Sequence, residues 1–107
     1  MTHSTLPPVD KDGFLVNLAD WTPEVAQQLA LADNIELTPE HWEIIEQLQA
    51  FYREFDLSPA MRPLSKYLKA NLGPEKASSI YLLKLFPGSP AKLGARIAGL
   101  PRPENCL

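Results

Sequence analysis

The sequence predicts a mainly α fold: a small orthogonal helical bundle with a helix-turn-helix-like element, a short N-terminal β-hairpin and an extended C-terminal arm. Three observations lead there. Four prolines each follow a hydroxyl residue, at Thr22-Pro23, Thr38-Pro39, Ser58-Pro59 and Ser89-Pro90. Between those points apolar residues recur at intervals of three and four. The chain then closes on Gly99-Leu100-Pro101-Arg102-Pro103-Glu104-Asn105-Cys106-Leu107, where prolines at alternate positions favour extended backbone.

At the N-terminus, Asp12-Gly13 is a turn signal and Phe14-Leu15-Val16 has strand character, so a hairpin is expected over about residues 6–18. The hydroxyl-proline pairs then mark helix starts. A Ser or Thr side chain accepts a hydrogen bond from an otherwise unpaired first-turn amide. Proline in the next position sacrifices nothing there, and Glu24 and Glu40 place negative charge where the helix dipole favours it. The first helix is expected from Pro23 to about Ala32.

In 39–55, Trp42, Ile45, Leu48, Tyr52 and Phe55 form one apolar face; in 59–72, Met61, Leu64, Leu68 and Leu72 repeat it, and Gly73 is a fitting stop. Residues 75–86, with Ile80-Tyr81-Leu82-Leu83 and Leu85-Phe86, are apolar nearly all round and predict a buried central helix ended by Pro87-Gly88. A short helix from Pro90 to about Ile97 completes a single domain over residues 1–98. Residues 99–107 follow as a mobile arm, since chain ends fray unless tied down.

Size and composition narrow the class. The chain has 107 residues, 45% hydrophobic, with nine aromatics, which suits one domain with a real core. No apolar run approaches the ~20 residues that span a bilayer, and Met1 to Pro8 lack the basic start and apolar stretch of a secretory signal. A lone cysteine cannot form an internal disulfide and fits a reducing compartment, so a cytoplasmic location is expected. The net charge of −3 is divided: residues 1–56 carry a balance of −9 and residues 57–107 one of +6. Arg62, Lys66 and Lys69 follow one helical face and are a candidate basic docking patch.

Candidate chemistry converges on one residue. Cys106, His3 and His41 form no spaced ligand cluster, and Asp10-x-Asp12-Gly13 lacks most of a calcium loop, so no metal and no cofactor are expected. His41 falls in a first helical turn, where a solvated polar role is expected rather than that of a base for Cys106. The helices over 59–72 and 75–86, separated by Gly73-Pro74, suggest a helix-turn-helix, and a DNA-binding or regulatory module is the alternative reading. The second helix offers Ser78, Ser79, Ile80, Tyr81, Leu82 and Leu83 with only Lys76 and Lys84, a poor set for reading base edges. Cys106 remains as a thiol nucleophile one residue from the end.

The tail Gly99-Leu100-Pro101-Arg102-Pro103-Glu104-Asn105-Cys106 resembles the Gly-Leu-Pro-Lys/Arg-Pro-x-x-Cys ending of the TusE/DsrC family of sulfur-relay proteins. So do Leu37-Thr38-Pro39-Glu40-His41-Trp42-Glu43, Phe51-Tyr52-Arg53-Glu54-Phe55 followed by Ser58-Pro59-Ala60-Met61-Arg62, and Tyr81-Leu82-x-x-Leu85-Phe86-Pro87. The Asp12-Gly13-Phe14-Leu15 turn and Trp21 fit as well, and the resemblance runs in order along almost the whole chain.

The resemblance implies that Cys106 carries sulfane sulfur as a persulfide, with Gly99, Leu100, Pro101, Arg102 and Pro103 as a partner-docking arm. In the DsrC branch a second arm cysteine stands at the position of Ala95; its absence excludes intramolecular disulfide chemistry and favours the TusE branch. The implied partners are a TusBCD-like sulfur donor and an MnmA-like tRNA thiolase acting on wobble uridine, the tRNA being contacted indirectly or weakly. Neither a membrane nor a small-molecule pocket is expected. A carrier in another sulfur-oxidation pathway is the variant of this reading.

Overall fold

The computed structural model describes residues 6–103, and six helices lie within them. After a 3-10 turn at Leu18–Asp20 come α1 (Pro23–Leu31), α2 (Pro39–Phe55), α3 (Met61–Leu72), α4 (Pro74–Ala77), α5 (Ser79–Leu85) and α6 (Pro90–Ile97). Two of the four hydroxyl-proline pairs cap in the expected manner. Thr22 Oγ1 accepts from the Val25 amide at 3.1 Å, and Thr38 Oγ1 accepts from the His41 amide.

The N-terminal hairpin is not formed. Residues 6–18 contain no strand, only an isolated antiparallel bridge between Val9 and Leu15. Pro7 and Pro8 have no N–H to offer a ladder. The Asp10 carboxylate instead accepts from the Asp12 and Phe14 amides at 2.9 and 3.0 Å, tightening a loop that Gly13 completes at φ 86°. What reaches the core is the pair Phe14 and Leu15, 3% and 5% exposed.

The helix expected over 75–86 is two helices. Ser78 adopts extended backbone, and its hydroxyl accepts from the Tyr81 amide at 3.1 Å, so it caps a new start and α4 ends at Ala77. Nor is α5 buried all round: Leu82 and the C-cap residue Phe86 are fully enclosed while Ile80 is 70% exposed. The central element is α6, which packs against α1, α2, α3 and α5. Its small residues make this possible. Ala91, Gly94 and Ala95 sit on its buried side, and a Cβ on Gly94 would lie 2.9 Å from Leu48 Cδ1 of α2. Ile44, Ile45 and Leu48 of α2 and Leu64 and Leu68 of α3 complete the core.

Candidate functional site

The end of α6 fixes where the C-terminal arm begins. The Gly99 amide donates to the Arg96 carbonyl at 3.2 Å and the Leu100 amide to the Ala95 carbonyl at 2.9 Å, the paired bonds of a Schellman turn. Gly99 takes φ 76°, which turns the chain back over the domain. The turn lies against Trp21: a Cβ on Gly99 would be 2.3 Å from Trp21 Cδ1. The Trp21 indole N–H donates to the Ile97 carbonyl at 2.8 Å, and the Gln49 amide donates to the Ala98 carbonyl at 3.0 Å. Leu100 enters the core, 5% exposed. The root of the arm is therefore held by burial and by carbonyls with partners from the 3-10 turn region and α2.

Beyond Leu100 the holding contacts change in kind. The Ser58 hydroxyl donates to the Pro101 carbonyl at 2.6 Å. Ser58 was expected to cap a helix from Pro59; α3 instead starts at Met61 with Ala60 at its N-cap, which leaves the buried Ser58 hydroxyl to the arm. Arg102 forms an ion pair with Asp12, and its guanidinium carbon lies 5.6 Å from the centre of the Phe14 ring. Pro103 is buried. The loop that grips Arg102 is itself braced by α6, since the Arg96 side chain runs beneath Gly13 and pairs with Asp33. Burial pushes the Arg96 guanidinium pKa down from its ordinary range.

Of the sequence-predicted site residues, the structure brings Gly99, Leu100, Pro101, Arg102 and Pro103 together as one strap across the domain. Cys106 lies outside the described residues. Arg62, Lys66 and Lys69 are all exposed on α3, and none takes part in an ion pair among the described residues. Residues 6–103 hold no group of three or more His, Cys, Asp or Glu suited to a metal. An open cleft of about 330 Å³ follows the root of the arm, lined in part by Leu18, Trp21, Tyr52, Arg53 and Leu100. No helix among the described residues is long and apolar enough to cross a membrane.

His41 is not the solvated residue expected. It is 6% exposed; Nδ1 accepts from the Thr38 amide at 3.1 Å, and Nε2 lies 2.8 Å from the Leu85 carbonyl, an arrangement that suits the Nε2–H tautomer. The ring also meets Phe86 edge-on at 5.2 Å. His41 thus ties α2 to α5 as a structural residue. Thr38-x-x-His41 is a capping box with histidine in the place of glutamate, the one sequence signal that points to it. Asp12, Ser58, Gln49 and Trp21, which hold the strap, carry no such signal.

The family model described as "DsrC like protein" matches residues 2–107. Sulfurtransferase TusE of Yersinia pseudotuberculosis is 46% identical over 98 residues, 92% of this chain and 91% of that one. The TusE homolog of Haemophilus influenzae is 45% identical, with 92% and 90% coverage. Among solved structures, DsrC of Allochromatium vinosum superposes with a TM-score of 0.83 at 50% identity, covering 92% of this chain and 88% of its own. The oxidized DsrC subunit of the dissimilatory sulfite reductase from Archaeoglobus fulgidus gives 0.77 at 41% identity, with 94% and 92% coverage.

Proposed function

This chain belongs to the DsrC-like family, with relatives that are TusE sulfurtransferases, and on that premise we propose that it is a persulfide carrier working from Cys106. The observation that carries the reading is the chain's single cysteine, placed three residues beyond a strap whose every described residue is seated on the domain. Identity alone does not separate the branches, because the Allochromatium DsrC is as similar as the TusE relatives. Ala95 supports the TusE side: it is a fully buried residue of α6, and no second thiol exists for Cys106 to pair with.

The chemistry conserves atoms and electrons. The Cys106 thiolate attacks the outer sulfur of a donor persulfide; a Cys106–sulfur bond forms, the donor's S–S bond breaks, and the electron pair leaves on the donor thiolate. At the acceptor the same exchange runs outward. In the proposed pathway the donor is a TusBCD-like complex and the acceptor an MnmA-like thiolase that converts wobble uridine of tRNA to 2-thiouridine. A reducing cytoplasm keeps the thiol available. The division into a domain over 1–98 and a C-terminal arm over 99–107 is part of this proposal, with residues 99–103 of the arm seated on the domain rather than free of it, and Arg62, Lys66 and Lys69 serve as the docking patch for an acidic partner surface.

A reconstituted relay tests it. Persulfide-loaded protein is mixed with the thiolase, ATP and unmodified tRNA, and thiolated nucleoside is measured after digestion. Thiolation that depends on this chain and is lost with Cys106→Ser is expected. Thiolation that persists with the serine variant rejects the proposal.

A further inference from the structure

We propose that Ile80 and Leu83, on the outer face of α5, are the apolar anchor by which this protein docks on an acidic surface of its sulfur acceptor. The inference rests on the carrier reading above and names the side chains that select the partner. Scattered exposed apolar residues need no explanation, but these two are paired. They stand three apart and so share one side of α5. They are 70% and 42% exposed, whereas Leu82 and Phe86 behind them are fully enclosed. Ser78 sets this orientation: its hydroxyl accepts from the Tyr81 amide at 3.1 Å and starts α5 afresh after α4.

The charge around the pair specifies what covers it. Glu75 is the sole acid between residues 57 and 103. Lys84 is exposed, follows Ile80 by four residues on the same side of the helix, and takes part in no ion pair among the described residues. The Ser65 hydroxyl of α3 donates to the Ala77 carbonyl at 2.7 Å, one residue before the cap of α5. Arg62 and Lys69, three before and four after Ser65, share that side of α3, so the basic stripe reaches the base of α5. An apolar centre with a cationic rim fits an acidic protein surface that carries an apolar slot. Phosphates of a nucleic acid satisfy the rim but leave Ile80 and Leu83 without an apolar partner. A second copy of this chain is disfavoured, since a two-fold contact on this face brings two basic rims together. The acceptor is the favoured partner because the tRNA it holds adds negative potential that steers a basic face.

The test is transfer from persulfide-loaded protein to the thiolase of the proposed relay, with ATP and unmodified tRNA saturating and the carrier concentration varied. Ile80→Ser combined with Leu83→Ser is expected to raise KM for the carrier about tenfold at every salt concentration. Dithiothreitol should strip sulfur from the loaded double variant at the wild-type rate, which shows that Cys106 itself is unaltered. Lys84→Glu should raise KM about threefold at low salt, a difference that shrinks as salt rises. Leu31→Ser, at an exposed position on α1, should leave KM unchanged. An unchanged KM in the double serine variant overturns the inference, as does a shift of the same size in Leu31→Ser. Binding of free tRNA that Lys84→Glu weakens and the double serine variant does not would assign the face to nucleic acid and overturn it. Dimerisation of the wild type that the double serine variant abolishes overturns it too, because a second copy is then the occupant. Wild type that loads and transfers no better than the double variant removes the docking anchor alone, whereas wild type that never loads rejects the carrier reading and this inference with it.

Discussion

Replacing Gly99 with alanine tests how tightly the arm is rooted. The cost has two parts. Alanine at φ 76° carries a left-handed backbone penalty of about 1–2 kcal/mol. The new methyl also lands 2.3 Å from Trp21 Cδ1, 2.5 Å from Cγ and 2.7 Å from Cβ, so the indole has to shift. That movement strains packing by about 1–3 kcal/mol and loosens the 2.8 Å bond to the Ile97 carbonyl. Gly88→Ala provides the control: Gly88 has φ 96° but open space around its Cα, so only the backbone part applies. Urea unfolding followed by tryptophan fluorescence should place Gly99→Ala about 3 kcal/mol below wild type and Gly88→Ala about half as far. Equal losses at the two positions, or a Gly99→Ala loss under about 0.5 kcal/mol, refute the argument that Trp21 clamps the root.

Other perturbations should behave as follows. His41→Ala removes the Thr38 cap partner and leaves the Leu85 carbonyl unpaired beside a cavity, and thermal unfolding should show a loss of about 2–4 kcal/mol. Tyr81→Phe should be neutral or stabilise by up to about 1 kcal/mol, since the buried Tyr81 hydroxyl has no hydrogen-bond partner among the described residues. The same burial pushes the Tyr81 phenol above its ordinary 10.0, an effect Lys76 partly offsets. The neutral phenol is thus favoured in the fold, and stability should fall as pH rises through 10, a dependence that urea titrations should find weakened in Tyr81→Phe. Combined Arg62→Glu, Lys66→Glu and Lys69→Glu should slow sulfur transfer to the acceptor at low salt at least tenfold without changing far-ultraviolet circular dichroism.

What the sequence made legible was local. Thr22 and Thr38 cap the helices their neighbours predict, because capping involves residues three apart. The segment 75–86 misleads for the same reason: its apolar content hides Ser78, whose hydroxyl starts a new helix and turns Ile80 outward. Pro7 and Pro8 similarly defeat the hairpin that Asp12-Gly13 suggests. Nothing local reveals that the Trp21 indole binds a carbonyl 76 residues away, or that Ser58 faces Pro101 across 43. Pairings of that kind are decided by packing, and they are the ones that hold the arm.

The proposed relay stands or falls on whether Cys106 takes up transferable sulfur. Intact mass of the protein after incubation with a persulfide donor, mapped to a residue by peptide fragmentation, tests it most directly. A gain of one sulfur atom at Cys106 is expected, removed by a thiol reductant and absent from Cys106→Ser. A protein whose Cys106 stays an unmodified thiol under conditions that load a known carrier would contradict it.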